Sequence, residues 1–130
     1  MTRNPVRSVT HIILLAAVTL FGRAVILGAH AELKKSEPAA GQTVTMAPPH
    51  VELWFSEDVD PKVSKIAVTG PSGKVAMGPA QSMEPKTLMA MFTDKLGDGT
   101  YTVSWQATAA DDGHVTKGNF KFTMKQAKMH

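Results

Sequence analysis

The sequence predicts an all-β domain, an immunoglobulin-like Greek-key β-sandwich or barrel of about seven strands. Three observations predict it. Apolar residues alternate with polar ones in short runs, clusters of glycine, proline and aspartate separate those runs, and no window of 11 or more residues after position 30 carries a helical period. A two-residue repeat sends alternate side chains to opposite faces, which suits half-buried antiparallel strands packed as two layers.

The elements follow in order. Residues 30–36 and the short Thr43–Met46 open the domain. In Val51–Ser56, Val51, Leu53 and Phe55 face one way and Glu52, Trp54 and Ser56 the other. Ser64–Thr69 turns Ile66 and Val68 inward, and Gly70-Pro71-Ser72-Gly73 provides a turn before Lys74–Met77, so the two read as a hairpin. Lys86–Thr93 sets Leu88, Ala90 and Phe92 against Met89 and Met91. The clearest alternation is Thr100–Ala107, with Tyr101, Val103, Trp105 and Ala107 on one face. Gly118–Lys125 directs Phe120, Phe122 and Met124 inward and lysines outward, and residues 126–130 form a tail.

The chain has 130 residues, and its first 29 have the layout of a secretory signal peptide. Arg3 and Arg7 form a basic start, residues 11–21 an apolar stretch, and Gly22 and Arg23 precede Ala24–Ala29. Retention as an anchor would bury Arg23, at about 3 kcal/mol. Residues 30–130 are then one domain, exported to the periplasm. Two cleavage points compete. Ala29-His30-Ala31 satisfies the small-x-small rule and would cut before Glu32, whereas a cut after Ala29 makes His30 the first residue. The second is the one adopted, on the metal chemistry below.

The formal charge of +3 belongs to the leader. Without Arg3, Arg7 and Arg23 the chain carries 11 lysines against 11 acidic residues and no arginine, so it lacks the bidentate fork that grips phosphate, and nucleic acid is not an expected partner. With no cysteine, neither disulfides nor thiolate metal sites are available, and any metal would take nitrogen, oxygen or thioether donors.

Asp112-Gly113-His114 is one place where such donors could gather, because residues two apart in an extended segment project to the same side. One carboxylate and one imidazole are too few to hold a transition metal tightly. A chain beginning at His30 would supply the rest, since its α-amine and the Nδ1 of its own ring close a chelate on one ion. With His114 that makes three nitrogens, with Asp112 or water at an outer or axial position, a tetragonal set that favours copper(II). The amine has a pKa of about 8, so acid should weaken binding.

Three stretches, in this order and spacing, make the sequence resemble the CopC family of periplasmic copper-binding proteins: residues 29–41, Val51–Glu57 and Gly99–Phe122. The resemblance spans His30 to about Lys125. It implies cleavage ahead of His30, one copper(II) held by that residue's amine and imidazole, by His114 and near Asp112, a Greek-key sandwich, and a role in copper resistance or uptake beside an inner-membrane partner of the CopD type. A monomer is expected. Some relatives hold copper(I) in a methionine-rich loop; here Met77, Met83, Met89 and Met91 are spread widely, and Met89 and Met91 read as packing groups. Glu32 stands where many single-site relatives have a further histidine.

His50 reads as a solvated residue at a strand entrance, Asp111 as surface charge, His130 as part of the tail, and Trp54 and Trp105 as packing groups. The expected function is a copper(II) carrier without a catalytic step. Two rivals remain open. A histidine-brace copper redox enzyme would need a broad substrate platform, and a metal-free structural sandwich would follow from cleavage before Glu32. No nucleophile, base and orienting acid stand at spacings that suggest a hydrolase.

Overall fold

The computed structural model describes residues 31–127, so the leader, His30 and His130 lie outside the described residues. Eight strands run in chain order: β1 (Leu33–Glu37), β2 (Thr43–Val44), β3 (His50–Phe55), β4 (Lys65–Gly70), β5 (Gly73–Val75), β6 (Thr87–Met91), β7 (Gly99–Thr108) and β8 (Val115–Met124). A 3-10 turn at Pro61–Val63 is the one helical piece among the described residues. Asp60 starts that turn by accepting a 3.0 Å bond from the Lys62 amide, and Pro61 occupies a first position where no amide proton is needed.

The strands form a three-stranded sheet in the order β1-β3-β6 and a five-stranded sheet in the order β2-β8-β7-β4-β5. β2 runs parallel to β8, and the other pairs are antiparallel. Val51, Leu53 and Phe55 of β3 and Leu88 of β6 are buried against Val68 of β4, Tyr101, Val103 and Ala107 of β7, and Phe122 and Met124 of β8. Each large side chain among them contributes about 1.5–3 kcal/mol by leaving water. Truncating Leu53, which is fully buried, should cost about 2–5 kcal/mol.

One ring contact stiffens a layer and another joins the two layers. Tyr101 stacks on Phe122 within the larger sheet, their centroids 5.3 Å apart, and its hydroxyl donates to the Gly97 carbonyl at 2.6 Å. Trp105 meets Phe55 of the opposite sheet edge-on, also at 5.3 Å. Gly118 faces Trp105 across the β7–β8 ladder, and a Cβ there would come within 2.5 Å of the indole. The bare backbone at Gly118 is what lets the ring lie flat over β8.

The alternation predicted for β3, β4, β7 and β8 holds in direction, with Ile66, Trp105 and Phe120 partly buried against the core and Lys121 outward. Trp54 differs from its expected packing role. It lies half-buried on the outer face of the three-stranded sheet, with the Lys35 ammonium 4.3 Å from its ring centre. β8 also begins three residues earlier than its apolar pattern, at Val115, because ten paired positions with β7 carry the ladder past the last inward phenylalanine.

Candidate metal centre

The long β7–β8 ladder ends in a tight turn over residues 109–114. The Ala109 amide donates to the His114 carbonyl at 2.8 Å, and the Gly113 amide donates back to the Ala109 carbonyl at 3.0 Å. Gly113 sits at φ +73°, a left-handed conformation that glycine adopts without penalty. The turn is fastened from beneath. Ala109 is buried, the Ala110 amide donates to the Asp58 carbonyl at 2.9 Å, and the Asp60 amide donates to that of Thr108 at 2.9 Å.

Asp112 and His114 do converge, but by a different route from the one expected. Instead of an extended segment pointing two side chains the same way, the bend folds Asp112 back onto the residue two ahead. Its Oδ1 accepts the His114 amide at 3.0 Å, and its Oδ2 lies 3.5 Å from Nδ1 of the His114 ring. This is the local side-chain-to-backbone bonding that short acidic residues favour in turns. The amide bond, with the ring's charge adding to it, holds the Asp112 carboxyl below its ordinary range, so it is anionic at neutral pH. Both side chains are accessible, at 54% for His114 and 41% for Asp112.

The start of the described chain lies beside this turn. Ala31 is 1% exposed, and its carbonyl accepts a 2.8 Å bond from Oγ1 of Thr116, two residues beyond His114. Glu32 is held from the other layer, its amide donating to Ser56 Oγ and its carbonyl accepting from the Ser56 amide, both at 2.9 Å. Residues 31 and 32 thus bridge the end of β3 and the beginning of β8. Neither Ser56 nor Thr116 was singled out from sequence, since a hydroxyl residue at a strand end carries no signal of what it will tether.

His30 lies outside the described residues, and among the described residues no group of three or more histidine, cysteine, aspartate or glutamate side chains could hold a metal ion. The structure therefore brings together two of the three expected ligands. His50 is elsewhere. It is the first residue of β3, half-buried, with Nε2 3.6 Å from Glu52 Oε1, at the opposite end of that strand from Ser56. Asp111, exposed, borders a shallow depression with Glu57, Asp58 and Lys86. Met89 and Met91 share the outer face of β6, where Met89 is half-buried and Met91 is exposed rather than packed.

The model of the CopC domain matches residues 33–125. The chain is 39% identical over 100 residues to protein YobA of Escherichia coli strain K12, covering 75% of this chain and 80% of that one. It is 37% identical over 106 residues to copper resistance protein C of Escherichia coli, covering 75% and 82% respectively. Among solved structures it is similar to that of PcoC, described as a methionine-rich copper resistance protein from Escherichia coli, with a TM-score of 0.68 and 37% identity over 75% of this chain and all of that one. The two-sheet fold, the order of its strands and a match spanning β1 to β8 lead to one assignment: this chain belongs to the CopC family.

Proposed function

We propose that this protein is an exported copper(II) carrier whose leader, residues 1–29, is removed to make His30 the first residue. One cupric ion is its cargo, bound by the His30 amine and imidazole and by His114, with Asp112 beside it. The protein sequesters the ion in the periplasm and hands it to an inner-membrane transporter of the CopD type, with no catalytic step.

The observation that carries this reading is the bond from Thr116 Oγ1 to the Ala31 carbonyl. Consecutive Cα atoms are about 3.8 Å apart, so whatever residue precedes Ala31 begins one peptide from a position anchored beside the His114 turn. A chelating N-terminus would reach the ring without a long loop to order. The Asp112 carboxylate supports the same reading, because it faces Nδ1 of His114 and so directs ligation through Nε2. A histidine that bonds a carboxylate through one nitrogen is fixed in tautomer and orientation, and is the better ligand at the other.

Copper binding displaces protons from the amine and the imidazoles, so the carrier loads at neutral pH and releases in acid. Two measurements test the reading. N-terminal sequencing of the exported protein should begin at His30, and cupric titration followed by electron paramagnetic resonance should give one nitrogen-rich site per chain. A chain that starts at Glu32, or one that binds equally well with an extra residue ahead of His30, overturns it.

A further inference from the structure

The five-stranded sheet carries charge of one sign only. β2, β4, β5, β7 and β8 contain no aspartate or glutamate, while Lys65, Lys74, Lys117 and Lys121 are all exposed on them. Although lysines and acids balance over the chain after position 30, the acids lie in the loops and on the other sheet.

Pairing registers give the four lysines a definite frame. Lys65, Gln106 and Lys117 lie in one row across β4, β7 and β8. Lys74, Thr69, Thr102 and Lys121 lie in another across β5, β4, β7 and β8. Between the rows run Ala67, Ser104 and Asn119, and with the first row these line a shallow trough on the outer surface. From strand spacing and rise, the rows are about 13 Å apart and about 10 and 14 Å wide at their lysines. None of the four lysines takes part in an ion pair among the described residues. At the end of this face that adjoins the 109–114 turn, Thr108 pairs with exposed Val115 and donates through Oγ1 to the carbonyl of exposed Val63.

We propose that this face is a docking surface for an extended, acidic segment of a partner protein, lying in the trough along the strand direction with carboxylates four residues apart. At about 3.4 Å per residue, side chains four apart in an extended chain point the same way and lie about 13 Å apart, the separation of the two lysine rows. Ser104, Gln106 and Asn119 on the floor can both donate to and accept from such a chain. The recessed floor between Lys65 and Lys117 fits a polypeptide better than a flat bilayer, which would touch the lysine rims alone. The lysines would steer the partner, and the valines at the turn end would give it an apolar contact close to His114. The surface needs no metal, so it stands or falls separately from the copper site.

The test is an amide-shift titration of the copper-free exported chain with a seven-residue peptide bearing two glutamates four apart, at low salt. Shifts should concentrate at residues 65–69, 102–106 and 117–121 and fade as salt screens the lysines. K65Q combined with K117Q should weaken binding about fivefold or more, while K34Q with K35Q, on the other sheet, should change it less than about twofold. Ala67→Tyr fills the trough without altering charge, suits a strand, and should weaken binding too. Four results would overturn the proposal: no binding, shifts spread over every lysine, equal binding of a peptide with adjacent glutamates, or no effect of Ala67→Tyr. Protection of this face by vesicles of about 30% phosphatidylglycerol, with the peptide inert, would reassign it to lipid.

Discussion

Among the described residues, two histidines sit beside a carboxylate two residues away, and only one of those two is proposed to hold metal. His50 and Glu52 share the outer face of β3 at 3.6 Å, and Asp112 and His114 share the β7–β8 turn at 3.5 Å. The ring-to-carboxylate distance does not separate them; the backbone does. At the turn the His114 amide also bonds Asp112, fixing the carboxylate on the ring, and Thr116 ties the start of the described chain alongside. On β3 the amides serve the sheet, and the cross-strand neighbours of His50 and Glu52 are Met91, Met89 and Glu37. A histidine–carboxylate pair is common chemistry; a second segment delivered to it is what can make it a centre.

The largest effect should come from exchanging the two histidines' fates. His114→Ala should weaken copper(II) binding by about 100-fold or more, beyond the range for losing a supporting partner, while His50→Ala should change it less than about twofold in a chelator-competition titration. Equal losses would erase the distinction between the two pairs.

Acid should then expose the amine's part. Between pH 8 and 6, protonation of a group with a pKa of about 8 lowers apparent affinity by at least about fiftyfold, read by the same competition at each pH. Asp112 should not contribute to that loss. Its folded-state pKa is depressed, so the stabilisation it gives the turn is present above its unfolded value and disappears only as pH falls through the lower folded one. Acid loss of the turn, followed by the His114 amide resonance, should therefore begin below pH 3.8.

Smaller effects sharpen the comparison. Asp112→Ala should cost about tenfold or more in affinity by releasing the His114 ring, whereas Glu52→Ala should leave copper binding unchanged. Thr116→Val removes one hydrogen bond of about 1 kcal/mol, which should lower the melting temperature by about 4–8 °C, and if the tether presents the N-terminus, copper affinity should fall about fivefold as well. Affinity unchanged in Thr116→Val would mean that residues 31 and 32 are held well enough by Ser56.

Much of the fold was legible because a two-residue period maps directly onto two faces. Val51, Leu53 and Phe55, and Tyr101, Val103 and Ala107, are buried as their alternation required. The boundaries that moved have local causes. β2 keeps two residues and β5 three, since they are paired on one side alone at the edges of the larger sheet, and β8 starts early because β7 offers it partners. Asp112 and His114 come together by a different route from the one their spacing suggests: the pair closes through a left-handed Gly113 rather than along an extended strand.

By itself the sequence determined the two-layered β architecture and the burial of its alternating residues, because both depend on residue type and short-range spacing. The tertiary structure alone decided that Ala31 meets Thr116, 85 positions away, and that lysines from three strands stand in rows with no acid among them. Those facts depend on which strands become neighbours and in what register. That choice is made by the packing of two sheets around one core, where a slip of one residue would turn every inward side chain to water.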